Sequence, residues 1–234
     1  MSREKLLWNE DWKFLHGDWL DGRQSIFDDS GWYDVCIPHS FGIPYFMENE
    51  FYTGYGCYRK HLYVKDEWMG KRINLEFQGV FQETEVYVNG KMAGDHKGGY
   101  TAFLIDITDY VQVGENLVFV RVNNLWNPRI APRAGEHVFN GGIYRDVAVL
   151  VTDPVHIAWY GTWIITPEVS KESAAVEIRT ELENQSLNGQ KNEQERYQLV
   201  SVIRYEGKEV GCIESDCYLE AGAKIAVSYT HLTL

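Results

Sequence analysis

Apolar and polar positions alternate with a period of two along most of the chain, the signature of strands that bury one face. Residues 32–38 (WYDVCIP) alternate in this way, and 57–64 (CYRKHLYV), 72–77 (RINLEF) and 83–88 (ETEVYV) follow. The last of these runs into Asn89-Gly90, a dipeptide suited to a type I′ hairpin because both residues accept positive φ. Residues 103–107 (FLIDI) and 117–122 (LVFVRV) flank Gly114-Glu115-Asn116, which reads as another turn, and 143–151 (IYRDVAVLV) closes the series. Only 106–111 (DITDYV) suggests a helical turn. Short strands at this spacing, without long helical patterns between them, predict an all-β protein that opens with a jelly-roll sandwich.

A boundary is expected near Asp153-Pro154, since proline cannot donate to a ladder and gathers at strand starts and edges. Residues 1–153 then form the first domain and 154–234 the second. Strands are expected at 155–166, 174–182 (AAVEIRTEL), 197–205 (YQLVSVIRY) and 208–213, with 184–195 (NQSLNGQKNEQE) a solvated loop. Four or five strands make most of an immunoglobulin-like sandwich, which takes about 100 residues, so the second domain is expected to be truncated. The final segment, 227–234 (VSYTHLTL), alternates differently and resembles translated adapter sequence, a sequencing artefact, so no function is read from it.

Charge narrows the function. The 22 Lys+Arg against 34 Asp+Glu give a formal net charge of −12. Such a surface repels phosphate backbones and anionic headgroups, so neither nucleic acid nor membrane is an expected partner. No apolar run approaches the roughly 18 residues of a membrane span, and the start (MSREKLLWNEDWKF) lacks the apolar core of a signal peptide, so a cytoplasmic location is expected. Four cysteines are too few for a disulfide framework. Cys36, Cys57 and Cys212 sit in strand-like runs and Cys217 just beyond one, where small buried thiols are expected. No CxxC or zinc-ligand spacing occurs, so no cofactor or metal is expected in this chain. The 14% of aromatic residues suits a β core, and Tyr and Trp faces also stack on the C–H faces of sugar rings.

Three stretches carry more information together than singly: 28–39 (DDSGWYDVCIPH), 77–103 (FQGVFQETEVYVNGKMAGDHKGGYTAF) and 139–147 (FNGGIYRDV), the last preceded by an Arg- and Pro-rich loop at 127–133 (NPRIAPR). With Gly56–Lys60 (GCYRK), Tyr87–Gly90 (YVNG) and Asp106-Ile107-Thr108 in the same order, they make the chain from Trp8 to about Asp153 resemble the N-terminal sugar-binding domain of glycoside hydrolase family 2, the β-galactosidase, β-glucuronidase and β-mannosidase family. Residues 155–213 are similar in position and pattern to that family's next module, an immunoglobulin-like sandwich.

The resemblance implies retaining glycoside hydrolysis, which needs two carboxyl groups about 5–5.5 Å apart. In the family both glutamates stand on a third domain, a (β/α)₈ barrel of about 250 residues. The catalytic pair is therefore expected outside these 234 residues, which are expected to be inactive alone. The family's galactoside-type substrate would be held jointly with that barrel, which would also supply the ligands of any Mg²⁺ or Na⁺; a homo-oligomer of the longer enzyme is compatible with this. From the first domain, the resemblance implies a substrate-binding carboxylate on the loop before 142–147. Counting back from Gly141 puts Glu136 there, where β-galactosidases usually carry Asp. A second family contact, an Asn on the loop before Gly56, maps to Asn49.

Other residues have structural readings: Arg145–Asp146 as an ion pair or a hydrogen-bonded strand-edge device, His96 satisfying the 98–99 turn, His39 anchoring a loop, and Trp12 and Phe14 in the core. Trp126 is the aromatic best placed for a sugar. Two other classes compete with the enzyme reading. One is a free-standing carbohydrate-binding module, which should hold free sugar by itself. The other is a sandwich used only for assembly.

Overall fold

The computed structural model describes residues 2–42, 51–131, 140–170, 174–186 and 195–233. Backbone contacts divide them into two compact units: Glu4–Val151, and Thr152–Leu234 with the first residues of the chain.

The first unit contains β1 (Arg3–Leu7), β2 (Trp12–His16), β3 (Tyr33–Val35), β4 (Tyr55–Val64), β5 (Arg72–Phe77) and β6 (Val80–Phe81). After these come β7 (Glu83–Val88), β8 (Lys91–Lys97), β9 (Phe103–Asp106), β10 (Gly114–Asn123), β11 (Gly142–Ile143) and β12 (Val147–Thr152). A six-stranded sheet runs in the order β3-β2-β4-β10-β7-β8 and a four-stranded sheet in the order β1-β12-β5-β9, while β11 pairs with β6. Their facing residues fill one core. Phe14, Tyr58, Val86, Val118 and Val120 come from the larger sheet, and Ile73, Leu75, Phe103, Ile105 and Val149 from the smaller. Trp12 and Phe14 are fully buried, as alternation on one strand requires.

The outer face of the larger sheet is not all solvated. The segment between β2 and β3 folds over it, and Trp32, Cys57, Tyr87 and Phe119 form a second cluster beneath that cover. Arg59, also buried, is held there by the Phe27 carbonyl at 3.1 Å and by Asp29 at 3.2 Å. A period-two pattern is therefore broken in β4, where Gly56, Cys57, Tyr58 and Arg59 are all buried.

Three expectations are corrected. Gly114-Glu115-Asn116 is the start of β10 rather than a turn, because the buried Asn116 amide donates to the Gln112 and Gly114 carbonyls and braces the strand entry. Besides the turn at Thr108–Tyr110, short 3₁₀ turns occur at Leu20–Arg23 and Asp66–Trp68. All four cysteines are free, but only Cys57 and Cys217 are buried; Cys36 and Cys212 are exposed, and Cys217 lies inside a strand. At Asn89-Gly90, φ values of +50° and +81° give the I′-type hairpin between β7 and β8.

The second unit contains β13 (Val155–Val169), β14 (Ala174–Asn184), β15 (Glu195–Tyr205), β16 (Lys208–Leu219) and β17 (Lys224–Thr233). Among the described residues they form a three-stranded sheet, β13-β14-β17, and the hairpin β15-β16. Residues 227–233 continue β17 and pair with β14. Leu182, Leu199, Cys217 and Leu219 form this unit's core. No helix of the described residues is long and apolar enough to cross a membrane.

Candidate sugar-contact site

At one edge of the sandwich β2 ends, β4 begins, β10 ends and β11 begins: Gly56 faces His16 across β2 and β4, and Tyr55 faces Asn123 across β4 and β10. Asn49 and Glu136 themselves lie outside the described residues. The structure does show the chain on either side of each.

Those roots are joined. The Phe41 N–H donates to the Gly141 carbonyl at 2.8 Å and the His39 N–H to the Ile143 carbonyl at 2.7 Å. From the end of β10, Asn124 reaches across to the far root of the Asn49 loop. Its Oδ1 accepts from the Gly54 N–H at 2.8 Å and its Nδ2 donates to the Tyr52 carbonyl at 3.1 Å. Beneath this lattice lies the Phe41 ring, pressed against bare backbone on two sides. A Cβ added to Gly56 would stand 2.2 Å from it, and one added to Gly141 2.4 Å. Only glycine fits at either position.

Around Phe41 is a knot of aromatic and imidazole rings. His39 packs on Phe14 at 4.5 Å and His16 on Tyr52 at 4.2 Å between ring centres. The His39 Nδ1 lies 2.9 Å from the Tyr58 hydroxyl, whose oxygen is 3.4 Å from the Ile143 N–H. The arrangement that satisfies all three has the hydroxyl donating to an unprotonated Nδ1 and accepting from the amide. Burial first, and then the positive field of His16, push His39 down from its ordinary 6.5 to about 4. Burial drives the Tyr58 hydroxyl far above its usual range.

A pH dependence follows, with a definite sign. A histidine whose folded-state value is depressed favours the fold while neutral. Its contribution is fully present above about pH 6.5 and is lost as pH falls from 6.5 through 4, to at most about 3 kcal/mol. Urea unfolding at pH 7 and pH 4.5 should show this loss, and His39→Gln should reduce the difference between the two pH values. An unchanged difference in His39→Gln would remove His39 as its source.

The arm after β10 is rigid by the same logic. Asn123 accepts from the Leu125 N–H at 2.8 Å, and the Glu83 carboxylate receives Asn123 at 3.0 Å and Asn127 at 2.7 Å. Trp126 is thereby held 73% exposed on a fixed backbone. An indole kept in water on a rigid arm beside the loop roots is suited to stacking on a sugar face.

The remaining sequence expectations fare unevenly. His39 does anchor the loop root. His96 stacks on Phe103 at 4.1 Å and its Nε2 lies 3.3 Å from the Thr101 hydroxyl, so its partner is a side chain and not the turn backbone. Of the two readings of Arg145-Asp146, the described residues show the hydrogen-bonded one and no ion pair between them: Asp146 accepts from Asn9 at 2.8 Å, and Asn9 in turn accepts from the Val147 N–H at 2.9 Å, at the start of β12. Sequence reasoning missed His16, Tyr52, Tyr58 and Asn124. Asn124 carried one usable signal, an Asn-Asn pair at a strand end, where an amide side chain commonly satisfies loop backbone. Among the described residues no group of three or more His, Cys, Asp or Glu could hold a metal ion.

Residues 19–154 match the family profile described as "Glycosyl hydrolases family 2, sugar binding domain". The chain belongs to glycosyl hydrolase family 2. It is 35% identical to a β-glucuronidase of Bacteroides fragilis over 96% of this chain and 31% of the relative. It is 32% identical to a β-galactosidase of Thermoanaerobacter pseudethanolicus over 92% of this chain and 29% of the relative. Among solved structures, Bacteroides uniformis β-glucuronidase 2, covalently bound to cyclophellitol-6-carboxylate aziridine, superposes with a TM-score of 0.88 at 32% identity, covering 98% of this chain and 28% of that one. The family 2 chain thus spans about a third of the length of the relatives it matches.

Proposed function

We propose that this chain is the N-terminal, non-catalytic part of a retaining family 2 β-glycosidase, most simply a β-galactosidase. In this reading it lends one wall to a site whose acid/base and nucleophile stand elsewhere in a longer protein. The observation that carries the reading is the joined pair of loop roots at the edge of a sandwich of this family. The Phe41–Gly141 and Asn124–Tyr52 bonds tie together the segments that bear Asn49 and Glu136. A carboxylate and an amide on neighbouring loops can hold several hydroxyls of one sugar ring, and positioning of that kind lowers a barrier without taking part in bond breaking. Any Mg²⁺ or Na⁺ of the longer enzyme takes its ligands from outside this chain. A second reading, β-glucuronide hydrolysis, is favoured by the 35% identical relative from Bacteroides fragilis.

The test is turnover of p-nitrophenyl β-galactoside and β-glucuronide. The 234-residue chain should release no nitrophenol from either, whereas the longer protein should cleave the galactoside faster. Turnover by this chain alone would overturn the non-catalytic assignment. Preference of the longer protein for the glucuronide would move the substrate to the second reading.

A further inference from the structure

On β7 and β10, Val86, Val88, Val120 and Val122 face the core, so their neighbours at odd positions point out of the sandwich. At the end of the sheet where β4 begins and β10 ends, these outward residues line a cleft of about 300 Å³. That volume is at the lower bound of small-ligand pockets.

Part of the lining is set before any ligand arrives. Arg121 donates from Nε and Nη2 to Asp18, at 2.7 Å each, and from Nη1 to Glu85 at 2.9 Å. Its guanidinium lies 4.0 Å from the centre of the Tyr55 ring. Glu83 is fixed by Asn123 and Asn127 as described above. Groups held in this way lose little freedom on binding.

Two groups are uncommitted. The Asp95 and Lys97 side chains are exposed on β8 and form no hydrogen bond or ion pair among the described residues; the Asp95 carboxylate acts only through its field on the neighbouring His96 ring. They stand opposite Glu85 and Glu83 respectively, and two residues apart on one strand, hence about 6.8 Å from each other. Glu85 and Asp95 are like charges directly across a ladder; Arg121 and the Tyr87 hydroxyl, at 2.9 Å each, already engage both Glu85 oxygens, so the repulsion left is modest and further hydroxyl donors placed between the two carboxylates would relieve it through their remaining lone pairs. Three lining carboxylates (Glu83, Glu85, Asp95) against two cations (Lys97, Arg121), with Arg121 further paired to Asp18 behind it, leave the cleft negative, which repels phosphates and uronates. Met92, 46% exposed, adds an apolar contact for C–H groups.

We propose that this cleft is a saccharide site that takes one neutral glycosyl unit. Hydroxyls of the sugar donate to Glu85 and Asp95 and one accepts from Lys97. This assignment needs neither the Asn49 and Glu136 loops nor the hydrolytic reading.

The test is an amide NMR titration of the 234-residue chain with methyl β-D-galactopyranoside, lactose and glucuronate. The neutral sugars should produce saturable shifts confined to residues 83–85, 95–97 and 121–123, with Kd in the millimolar range. Glucuronate should bind several-fold more weakly. Asp95→Asn combined with Lys97→Ala should weaken binding about tenfold without lowering the unfolding midpoint, and Lys97→Ala alone should weaken it by a smaller factor. Three results would overturn the proposal: no saturable shift at those amides, shifts that survive both variants, or glucuronate binding as tightly as the neutral sugars.

Discussion

Glu136→Ala in the longer enzyme is expected to lower kcat/KM by about 10- to 100-fold. One charge-assisted hydrogen bond from a carboxylate to a sugar hydroxyl contributes about 1.5–3 kcal/mol, and that is the range it spans in rate. If the contact tightens as the ring distorts towards the transition state, the loss falls on kcat. A contact of equal strength in ground and transition states raises KM alone. Glu136→Gln separates charge from geometry, because the amide keeps one acceptor and loses the negative charge. Glu136→Asp shortens the side chain by one methylene towards the residue usual in β-galactosidases, and it should retain more activity than alanine. Steady-state kinetics on the β-galactoside and on the β-glucuronide would measure all three. Unchanged kinetics in Glu136→Ala would take this residue out of the site.

The second large effect concerns the scaffold beneath that loop. Gly142 has φ of +123°, and a Cβ there would stand 2.7 Å from the His39 carbonyl oxygen and 2.9 Å from the Tyr58 hydroxyl. The carbonyl is backbone in the strip that joins the two loop roots, so it cannot step aside without breaking the His39–Ile143 bond. Gly142→Ala therefore adds backbone strain to overpacking, and about 2–5 kcal/mol of stability should be lost. Gly114 supplies the control. Its φ is +92°, but a Cβ would meet nothing within 4 Å. Gly114→Ala should cost only the strain, about 1 kcal/mol. Urea unfolding of both variants measures the contrast, and equal losses would refute the packing argument.

The period-two pattern made most of the fold legible. Residues 72–77 and 83–88 alternate cleanly because one face meets the core, and β5 and β7 have those bounds. The Asn89-Gly90 hairpin was readable because its backbone needs positive φ at two successive residues. The misreadings share a cause: a residue type judged apart from its partners. Asn116 looks like turn chemistry until its amide is seen to brace the entry to β10. Cys36 and Cys212 look like core thiols, but Cys36 lies just past the end of β3 and Cys212 takes an exposed position on β16. The ordered motifs were specific enough to indicate the family. The lattice under the loops was not legible, because Phe41–Gly141 and Asn124–Tyr52 are long-range bonds that no local pattern encodes. The same holds for the cleft, whose walls come from four strands and meet only once their register is known.

The central claim is that this chain frames a sugar while the reacting carboxylates lie elsewhere. It is tested most directly by labelling the longer protein with a cyclophellitol-type aziridine, which traps the nucleophile of a retaining glycosidase as a covalent adduct, and mapping the modified residue by mass spectrometry. A single adduct is expected on a glutamate outside residues 1–234, with none on this chain. An adduct on Glu136, or on any other carboxylate within these residues, would contradict it.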